Sequence, residues 1–530
     1  MSTAEDPDHG IDKTETTMVE TSVSHPKHES HGQRSTSTVP TLDPLTWPKW
    51  TKIGITANIC ANAFINNVTS AGVVPTIGPI VVELNVPITT ASQILSYAVL
   101  SQGLGNLIWV PTMLVFGKRW TIIATSVLLL PAIAWCASAQ SFNSLLAARI
   151  VSGFASGASE SFAPAIIGDI WYERDLTLAL GIFALCIVAG AGLGQAALGY
   201  VTQGIGWRWA FWVTFIIAAI NFVTMIIWLP ETTYQRGLKV GVTAGDLERK
   251  IELEHGATET FALEKDNTNN LTNAPTIEDA PPLVSMRPNL WFIRHPHVNY
   301  KLNWLRQFAR PFQFFLSPSV LWASLTYAVA AGAFTAVGVC IPLLLGGPPY
   351  LFQPGAQGLF GLSALVGVCI GGTVGSRIVD VFSNHMERRR RKAGAPHKPE
   401  ERLVMLILPF CTVAVGLIVY GITVEQKRPW IAPAVGYTIH SAGFSLLASI
   451  TYSYIIDSYL IRSGEAMVFN NMLRALLSFA FADFVPNWLV RSGSTEVYCV
   501  LAGVVWAMLL LAIPLFYLGP SLRAKTDRFL

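Results

Sequence analysis

The sequence predicts an all-α membrane protein with twelve transmembrane helices in two pseudo-symmetric six-helix bundles. First, 52% of the 530 residues are hydrophobic and only 13% are charged, whereas soluble domains carry about 25% charged residues. Second, the apolar residues form twelve runs near the length, about 20 residues, that a helix needs to cross a bilayer. Third, a basic loop follows both the second run (Gly117 to Arg119) and the eighth run (Arg388 to Lys392). The same feature at the same place in each half indicates an internal repeat.

One long polar stretch divides the predicted spans into two sets of six. In chain order the spans are 53–77, 94–116, 121–139, 145–167, 178–201, 209–229, 319–346, 357–379, 403–424, 430–455, 466–489 and 498–518. Residues 1–42 are polar and poor in branched and aromatic residues, so we predict a disordered cytoplasmic tail. The other predicted divisions are a first bundle at 43–230, a central loop at 231–318, a second bundle at 319–519 and a cytoplasmic tail at 520–530.

The distribution of Lys and Arg predicts the orientation. With the N-terminus in the cytoplasm, most of the 36 basic residues fall on the cytoplasmic side, so the positive-inside rule puts both termini there. Within the central loop, Asn299–Phe315 mixes basic and aromatic residues, which is typical of an amphipathic helix lying in the membrane interface. The sequon at Asn270 falls in the same cytoplasmic loop and is expected to carry no glycan.

Two ionisable residues lie in the fourth predicted span, although charges are costly in lipid. Arg149 and Glu160 are eleven residues apart, about three helical turns, so we expect them to share one helix face. One interpretation is proton coupling, in which Glu160 takes up and releases a proton and Arg149 tunes its proton affinity. The other is a buried polar pair that holds helices together. His440, in the tenth span, is likewise either a proton carrier or a packing residue.

Polar residues in other spans are candidates for lining a substrate cavity. Asn58, Asn62 and Asn66 recur every fourth residue, and Ser70 continues this polar stripe along the first span. The stripe either binds a polar substrate or joins two helices through hydrogen bonds worth less than about 2 kcal/mol each. The remaining cavity candidates are Gln195, Tyr437 and Asn471.

Glycines within spans and charges near span ends are candidates for helix packing and gating. Glycines at four-residue spacing let helix backbones approach closely, and we expect the fifth span to rock against a helix of the other half. The full set is Gly117, Arg119, Gly153, Gly157, Asp169, Gly190, Gly194, Gly199, Asp457 and Arg474. Arg474 is predicted about eight residues into its span, close enough to the surface for its side chain to reach the interface.

The sequence argues against an enzyme, a metal site or a bound cofactor. It contains no GxxxxGK[ST] phosphate loop and no HExxH, and its seven cysteines are scattered singly. Without an ATP-binding loop, an ion gradient, most simply of protons, is the expected driving force. A secondary transporter fits better than a membrane sensor, because the tails are short and polar. The net charge of +3 gives no basis for nucleic-acid binding.

Several motifs in a fixed order resemble those of a known family. They are Asp43–Trp47, Arg149-x3-Gly153-x3-Gly157, Gly190-x3-Gly194 followed by Gly199, Gly206–Trp212, Pro230–Tyr234, Pro399–Leu403 and Tyr454–Tyr459. Over about residues 43–520, apart from most of the central loop, the chain resembles a major facilitator superfamily transporter. More narrowly, it is similar to fungal members of the twelve-spanner drug:proton antiporter group and to their polyamine-transporter-like relatives.

The resemblance implies a monomeric transporter of the plasma membrane that works by alternating access. It implies export of a drug-like compound or secondary metabolite in exchange for protons, with Arg149 in the coupling path. The alternative is uptake or vacuolar transport of a small organic cation such as a polyamine, and the sequence leaves this choice open. The expected partners are the small-molecule substrate, protons and the lipid bilayer.

The chain also departs from the family pattern. The usual acidic residue three positions before Gly117 is Leu114, so the gating ion pair has lost its acid, and we expect Asp169 to pair with Arg119 instead. In the fifth span Gln195 replaces the usual proline and Leu198 the usual glycine. Without that proline the kink it would introduce is weaker or absent.

Overall fold

The computed structural model describes residues 44–232, 302–375, 377–379, 381–382, 385, 399–459 and 462–526, which all belong to one compact unit. All regular secondary structure in these ranges is helical. The basic run at 388–392, the sequon at Asn270 and the N-terminal tail lie outside the described residues.

The described residues of the first half form nine α-helices. They are α1 (Lys49–Ala71), α2 (Ile77–Leu84), α3 (Ile88–Ala91), α4 (Gln93–Phe116), α5 (Lys118–Ser138), α6 (Phe142–Ser156), α7 (Ser159–Ile170), α8 (Glu173–Ile205) and α9 (Trp207–Trp228). One turn of 3-10 helix, Val74–Thr76, joins α1 to α2.

The second half begins with the predicted amphipathic segment, which is helical where it is described. It forms α10 (Trp304–Ala309) and a 3-10 helix at Arg310–Leu316. The remaining helices are α11 (Pro318–Leu345), α12 (Pro354–Ile370, continued by a π-helical turn at Gly371–Gly375), α13 (Ile407–Glu425), α14 (Ile431–Ser458), α15 (Ser463–Ser492), α16 (Ser494–Leu510) and α17 (Ala512–Thr526).

Eleven helical segments of the described chain are long and apolar enough to cross a membrane. The remaining predicted span, the fourth (145–167), is interrupted: α6 ends at Ser156 and α7 begins at Ser159, so the expectation of one continuous helix is wrong. Gly157, at the break, is a weak helix former. Pro164 follows within α7 and has no backbone N–H to donate. With this broken span the fold has twelve spans.

The helix contacts close into a ring of eight helices around the space between the halves. Around the ring the order is α4, α15, α11, α14, α12, α8, α1 and the broken span α6–α7, which returns to α4. The halves therefore meet along two seams, α4 with α15 and α8 with α12. Between the seams, α1 and α7 of the first half face α11 and α14 of the second half.

Glycines allow the helices to approach closely at both seams. A Cβ atom on Gly103 of α4 would lie 2.1 Å from Cβ of Ala475 on α15. At the other seam, a Cβ on Gly358 would lie 2.2 Å from the carbonyl oxygen of Gln195, and one on Gly199 would lie 2.5 Å from that of Pro354. Larger side chains at these positions would force the halves apart.

We call the end of the bundle at which α1 begins the near end, and the opposite end the far end. At the near end, the start of α5 and the end of α7 are joined by an ion pair between Lys118 and Asp169. In the second half, Arg402 Nε lies 2.8 Å from Oδ2 of Asp457, which joins the residues before α13 to the end of α14. We had expected Arg119 as the partner of Asp169; the residue that takes this place is Lys118.

Two carboxylates, Glu231 just after α9 and Glu425 at the end of α13, cap the starts of other helices. Glu231 accepts the backbone N–H groups of Lys118 and Arg119, both at 3.1 Å, at the start of α5. Glu425 accepts the backbone N–H of Ser494 at 2.7 Å at the start of α16. The positively polarised N-terminus of a helix favours a carboxylate there.

Candidate functional site

An ion pair joins the two halves at mid-depth. Nη2 of Arg474 on α15 donates to Oε2 of Glu160 on α7. Arg474 lies eleven residues after Ser463, about 16 Å along the helix axis, so the expectation of a shallow position was wrong. The helix begins earlier than predicted, and the side chain points to Glu160 instead of the membrane surface. The side chains of Glu160 and Arg474 are 17% and 25% exposed, respectively, so both remain accessible from the interior of the ring.

A chain of hydrogen bonds runs from this ion pair to Arg149. Gln102 Nε2 on α4 donates to Oε1 of Glu160 at 3.2 Å, and Ser70 Oγ on α1 donates to Oε1 of Gln102 at 3.3 Å. The backbone carbonyl of Ser70 accepts from Nη2 of Arg149 at 3.1 Å. Arg149 and Glu160 are therefore linked through two other helices.

Arg149 is fully buried and held by backbone carbonyls. Nη1 donates to the carbonyl of Thr69 at 2.6 Å, Nη2 to that of Ser70, and Nε to that of Ile94 at 3.4 Å. The planar guanidinium has donors in these separate directions, which a lysine lacks. Its position fixes the end of α1 against the start of α4.

The polar stripe of α1 faces the inside of the first bundle over most of its length. Asn62 Nδ2 donates to Asn221 Oδ1 of α9 at 3.3 Å, and Asn221 Nδ2 donates to the carbonyl of Asn58 at 3.3 Å. Asn66 Nδ2 donates to Oδ1 of Asn62 at 3.0 Å. Asn62 and Asn66 also line a small polar cavity between α1, α5 and the broken span. These contacts favour the helix-joining interpretation; Ser70, at the end of the stripe, is the exception.

His440 packs inside the second bundle. Its ring is fully buried, and Nδ1 lies 3.0 Å from the carbonyl of Val413 on α13. A Cβ on Gly416 would lie 2.3 Å from the backbone N of His440, so α13 and α14 are in close contact at this point. This environment favours the packing interpretation.

The glycines of α8 face two different neighbours. A Cβ on Gly190 would lie 2.4 Å from the carbonyl oxygen of Phe64, and one on Gly194 would lie 3.0 Å from Val68, both on α1. Gly199 and Gln195 instead contact α12 across the seam. Only part of the predicted glycine set therefore meets the other half.

The remaining predicted residues lie on the broken span, on α15 and at the near end. A Cβ on Gly153 or Gly157 would lie 2.4 Å or 2.2 Å from backbone oxygens of α4, which tightens the contact of α6 with α4. Asn471 is half-buried on α15, one turn before Arg474. Arg119 Nη2 donates to the carbonyl of Ile226 at 3.2 Å.

Aromatic side chains of α11, α12 and α14 form a stack in the second half. We use the name aromatic stack for Tyr327, Phe334, Phe360, Tyr437, Phe444 and Tyr452. Phe444 lies nearly parallel to Phe334 (11°, centroids 4.9 Å apart) and to Tyr327 (9°, 5.7 Å). Tyr437 continues the series between Phe334 and Phe360, and Tyr452 donates its hydroxyl to that of Tyr327 at 3.1 Å.

Within the aromatic stack only Tyr437 was a predicted site residue, and Gln102 was not predicted either. A signal for the stack is present: Tyr327 and Phe334 are seven residues apart, as are Tyr437 and Phe444, and this spacing puts each pair on one helix face. Gln102 is one of several polar residues in α4 and has no comparable signal.

Comparison with known proteins gives consistent results. The Major Facilitator Superfamily model matches residues 59–482. Efflux pump FUBT of Fusarium oxysporum is 26% identical over 443 residues, which cover 83% of this chain and 67% of that protein. Efflux pump radE of Floropilus chiversii is 25% identical over 490 residues, which cover 91% of this chain and 83% of that protein.

Among solved structures, the xylose transporter XylE from E. coli, in a partially occluded inward open conformation, is similar with a TM-score of 0.56. The sequences are 14% identical, and the match covers 88% of this chain and 98% of that chain. At this identity the likeness concerns the fold alone.

Proposed function

We propose that this chain, which belongs to the Major Facilitator Superfamily, exports a small organic molecule in exchange for protons. The family assignment makes it a multi-pass membrane transporter and not an enzyme. Its similarity to fungal efflux pumps supports export. The observation that carries the proton-coupled proposal is the ion pair of Glu160 and Arg474, because it joins the two moving halves through a group that can be protonated.

Protonation of Glu160 acts directly on the contact between the halves. A charged carboxylate holds Arg474 by a charge-assisted hydrogen bond. A neutral carboxylic acid loses that attraction, so proton uptake loosens α7 from α15. Gln102 moves with the first half and keeps the Glu160 side chain oriented.

Antiport requires that the proton and the substrate occupy the protein alternately. A carboxylate offers about four acceptor positions, and Arg474 and Gln102 use two of them. A hydrogen-bond donor of the substrate binds at a third position more strongly while Glu160 is charged, because a carboxylate is a stronger acceptor than a carboxylic acid. Proton uptake therefore favours release of the substrate, and proton release prepares the site for the next molecule.

The cross-half contacts support a conformation that loads from the near end. Between the spans of the described residues, the hydrogen bonds and ring contacts across the halves lie at mid-depth or at the far end, where Gln203 of α8 donates to Gln353 just before α12. Tyr97 of α4 also packs edge-on against Phe479 of α15. Towards the near end, Trp304 of α10, which is not a span, donates to Oγ1 of Thr112 on α4 at 3.1 Å. With the near end in the cytoplasm of a plasma-membrane protein, as the basic loops favour, this is the state in which an exporter binds its substrate.

The proposal is tested by expressing the protein in a fungal cell that lacks it. Small molecules are compared inside the cells and in the medium, with and without a proton uncoupler, against cells carrying the empty vector. We expect at least one compound to leave the cells and accumulate outside only while the proton gradient stands. A compound that accumulates inside instead would support uptake, and export that persists with the uncoupler would contradict proton coupling.

A further inference from the structure

We propose that the aromatic stack binds a flat conjugated ring that carries a hydroxyl or amine donor, and that this is the class of molecule the transporter carries. The inference rests on the proposed function and names its substrate class. It joins two features: aromatic rings of the second half that stand parallel to one another, and a carboxylate of the first half with acceptor positions to spare.

The parallel order of the rings is the first argument. Phe334, Phe444 and Tyr327 lie within 9° to 11° of parallel as successive pairs, although they come from two different helices. Offset-parallel stacking is one of the two arrangements that aromatic pairs prefer, and here it continues over three rings. Phe334, Phe444 and Tyr452 are only half-buried. A flat ligand can therefore extend the series by stacking, which a puckered saturated ring cannot do.

The position of the stack in the ring of helices is the second argument. α11 and α14 carry most of its members and face α1 and α7 across the interior. α11 is buried over most of its length, so its half-buried Phe334 does not belong to a lipid-facing surface. α11 packs closely along α15, and Tyr327 lies nine residues into α11 while Arg474 lies eleven residues into α15, so one end of the stack is at about the depth of the ion pair.

The opposite face of the interior is the third argument. Ser70, Gln102 and Glu160 are half-buried polar residues of the first half, linked to one another by hydrogen bonds. A ligand that touches both halves needs an apolar face for the stack and a donor for Glu160. A hydroxyl or amine on a conjugated ring meets both requirements, whereas a carboxylate would be repelled by Glu160.

The test measures binding to purified full-length protein in detergent by equilibrium dialysis. The probes are 2-naphthol and decahydro-2-naphthol, which share a carbon skeleton and a hydroxyl but differ in planarity. A third probe, 2-methoxynaphthalene, keeps the flat ring and lacks the donor. We expect 2-naphthol to bind about three- to tenfold more tightly than either of the others, the range that one aromatic pair supports.

Two variants assign that preference to the stack. Phe444→Leu removes its central ring and should abolish the difference between 2-naphthol and decahydro-2-naphthol. Phe410→Leu is the matched control, because Phe410 stacks on Trp506 (5.7 Å, 26°) in α13 and α16, away from the interior. Size-exclusion elution and circular dichroism check that both variants are folded, and Phe334→Leu replaces Phe444→Leu if the latter is not.

Equal binding of the flat and saturated probes to the wild type, binding of neither, or equal losses in both variants overturns the inference. None of these results affects the export experiment, so the proposed function can stand without the substrate class. Conversely, an absence of gradient-dependent export with an intact preference for 2-naphthol would reject proton-driven export and leave the aromatic binding site in place.

Discussion

In the first half, Lys118 and Asp169 join the start of α5 to the end of α7; in the second half, Arg402 and Asp457 join the matching places around α13 and α14. Away from the near end the halves differ. The first contains Gln102 and Glu160 at mid-depth and Arg149 nearer the far end, whereas α11, α12 and α14 of the second contain the aromatic stack. The repeated features hold the two bundles in shape, and the features that differ between the halves are where transport chemistry is expected.

The sharpest test of this comparison is Glu160→Gln, since Glu160 is the titratable side of the contact between the halves. The glutamine amide cannot take up a proton as a carboxylate does, and without a charge it holds Arg474 only weakly. We expect pH-gradient-driven flux of the exported compound into proteoliposomes to fall to the level of protein-free liposomes. Expression and size-exclusion elution of the variant should be unchanged. Glu496→Gln, on an exposed residue at the start of α16, is the control. Full flux in Glu160→Gln would remove Glu160 from the coupling path.

Arg149→Lys should have the next largest effect. Lysine keeps the charge but cannot direct donors to the carbonyls of Thr69, Ser70 and Ile94 together. Loss of one hydrogen bond to a charged group costs about 1.5–3 kcal/mol, so we expect a lower melting temperature in detergent and a severe loss of flux. Normal transport by this variant would mean that Arg149 acts only as a point charge.

Glycines at three helix starts allow the stability of the two bundles to be tested separately from transport. Gly117, Gly206 and Gly493 all have left-handed φ angles, of 90°, 101° and 80°. Their ψ angles are 159°, 161° and 170°, a combination that essentially only glycine adopts, so alanine at any of them costs about 1–3 kcal/mol from the backbone alone. At Gly117 and Gly493 the new Cβ would also lie 2.9 Å and 3.0 Å from the capping carboxylates, whereas nothing lies within 4 Å at Gly206. Gly206→Ala should therefore lower the melting temperature least of the three variants. Equal decreases would mean that the capping carboxylates Glu231 and Glu425 move aside without loss of stability.

The smallest effects are expected at the near-end ion pairs. Asp169 and Asp457 are 27% and 20% exposed, and such pairs contribute up to about 1 kcal/mol. Asp169→Asn and Asp457→Asn should therefore lower the melting temperature slightly and by similar amounts. The exchange Lys118→Asp with Asp169→Lys should recover most of the first loss. A large decrease in melting temperature at one pair only would show that the two ion pairs do not have equivalent roles in the two halves.

Much of the fold could be predicted from the sequence, because each span is a long apolar run whose hydrogen bonds are internal to the helix. The break in the fourth span was missed, since Gly157 lies in an apolar run that a 20-residue window reads as continuous. The depth of Arg474 was misjudged because its helix begins at Ser463, three residues before the predicted start.

The candidate site was predicted only as separate residues. Glu160 and Arg474 were both identified, but their pairing joins positions 314 residues apart, and helical periodicity gives no information about such contacts. Arg149 and Glu160 were expected on one helix face because a continuous helix was assumed. The position of Asn62 on a polar stripe was predicted from its spacing. The helix that the stripe contacts, α9, could not be predicted, because it depends on how the helices of the bundle pack together.

The glycines of α8 have a mechanical consequence. Gly190 and Gly194 bring its backbone against α1, while Gly192 and Gly199 bring it against α12. A helix in direct backbone contact on both sides has few compressible side chains with which to absorb a displacement. Movement along the seam is therefore passed on to α1 almost without loss. In the proposed export cycle, α1 and α8 would therefore move together as one rigid body.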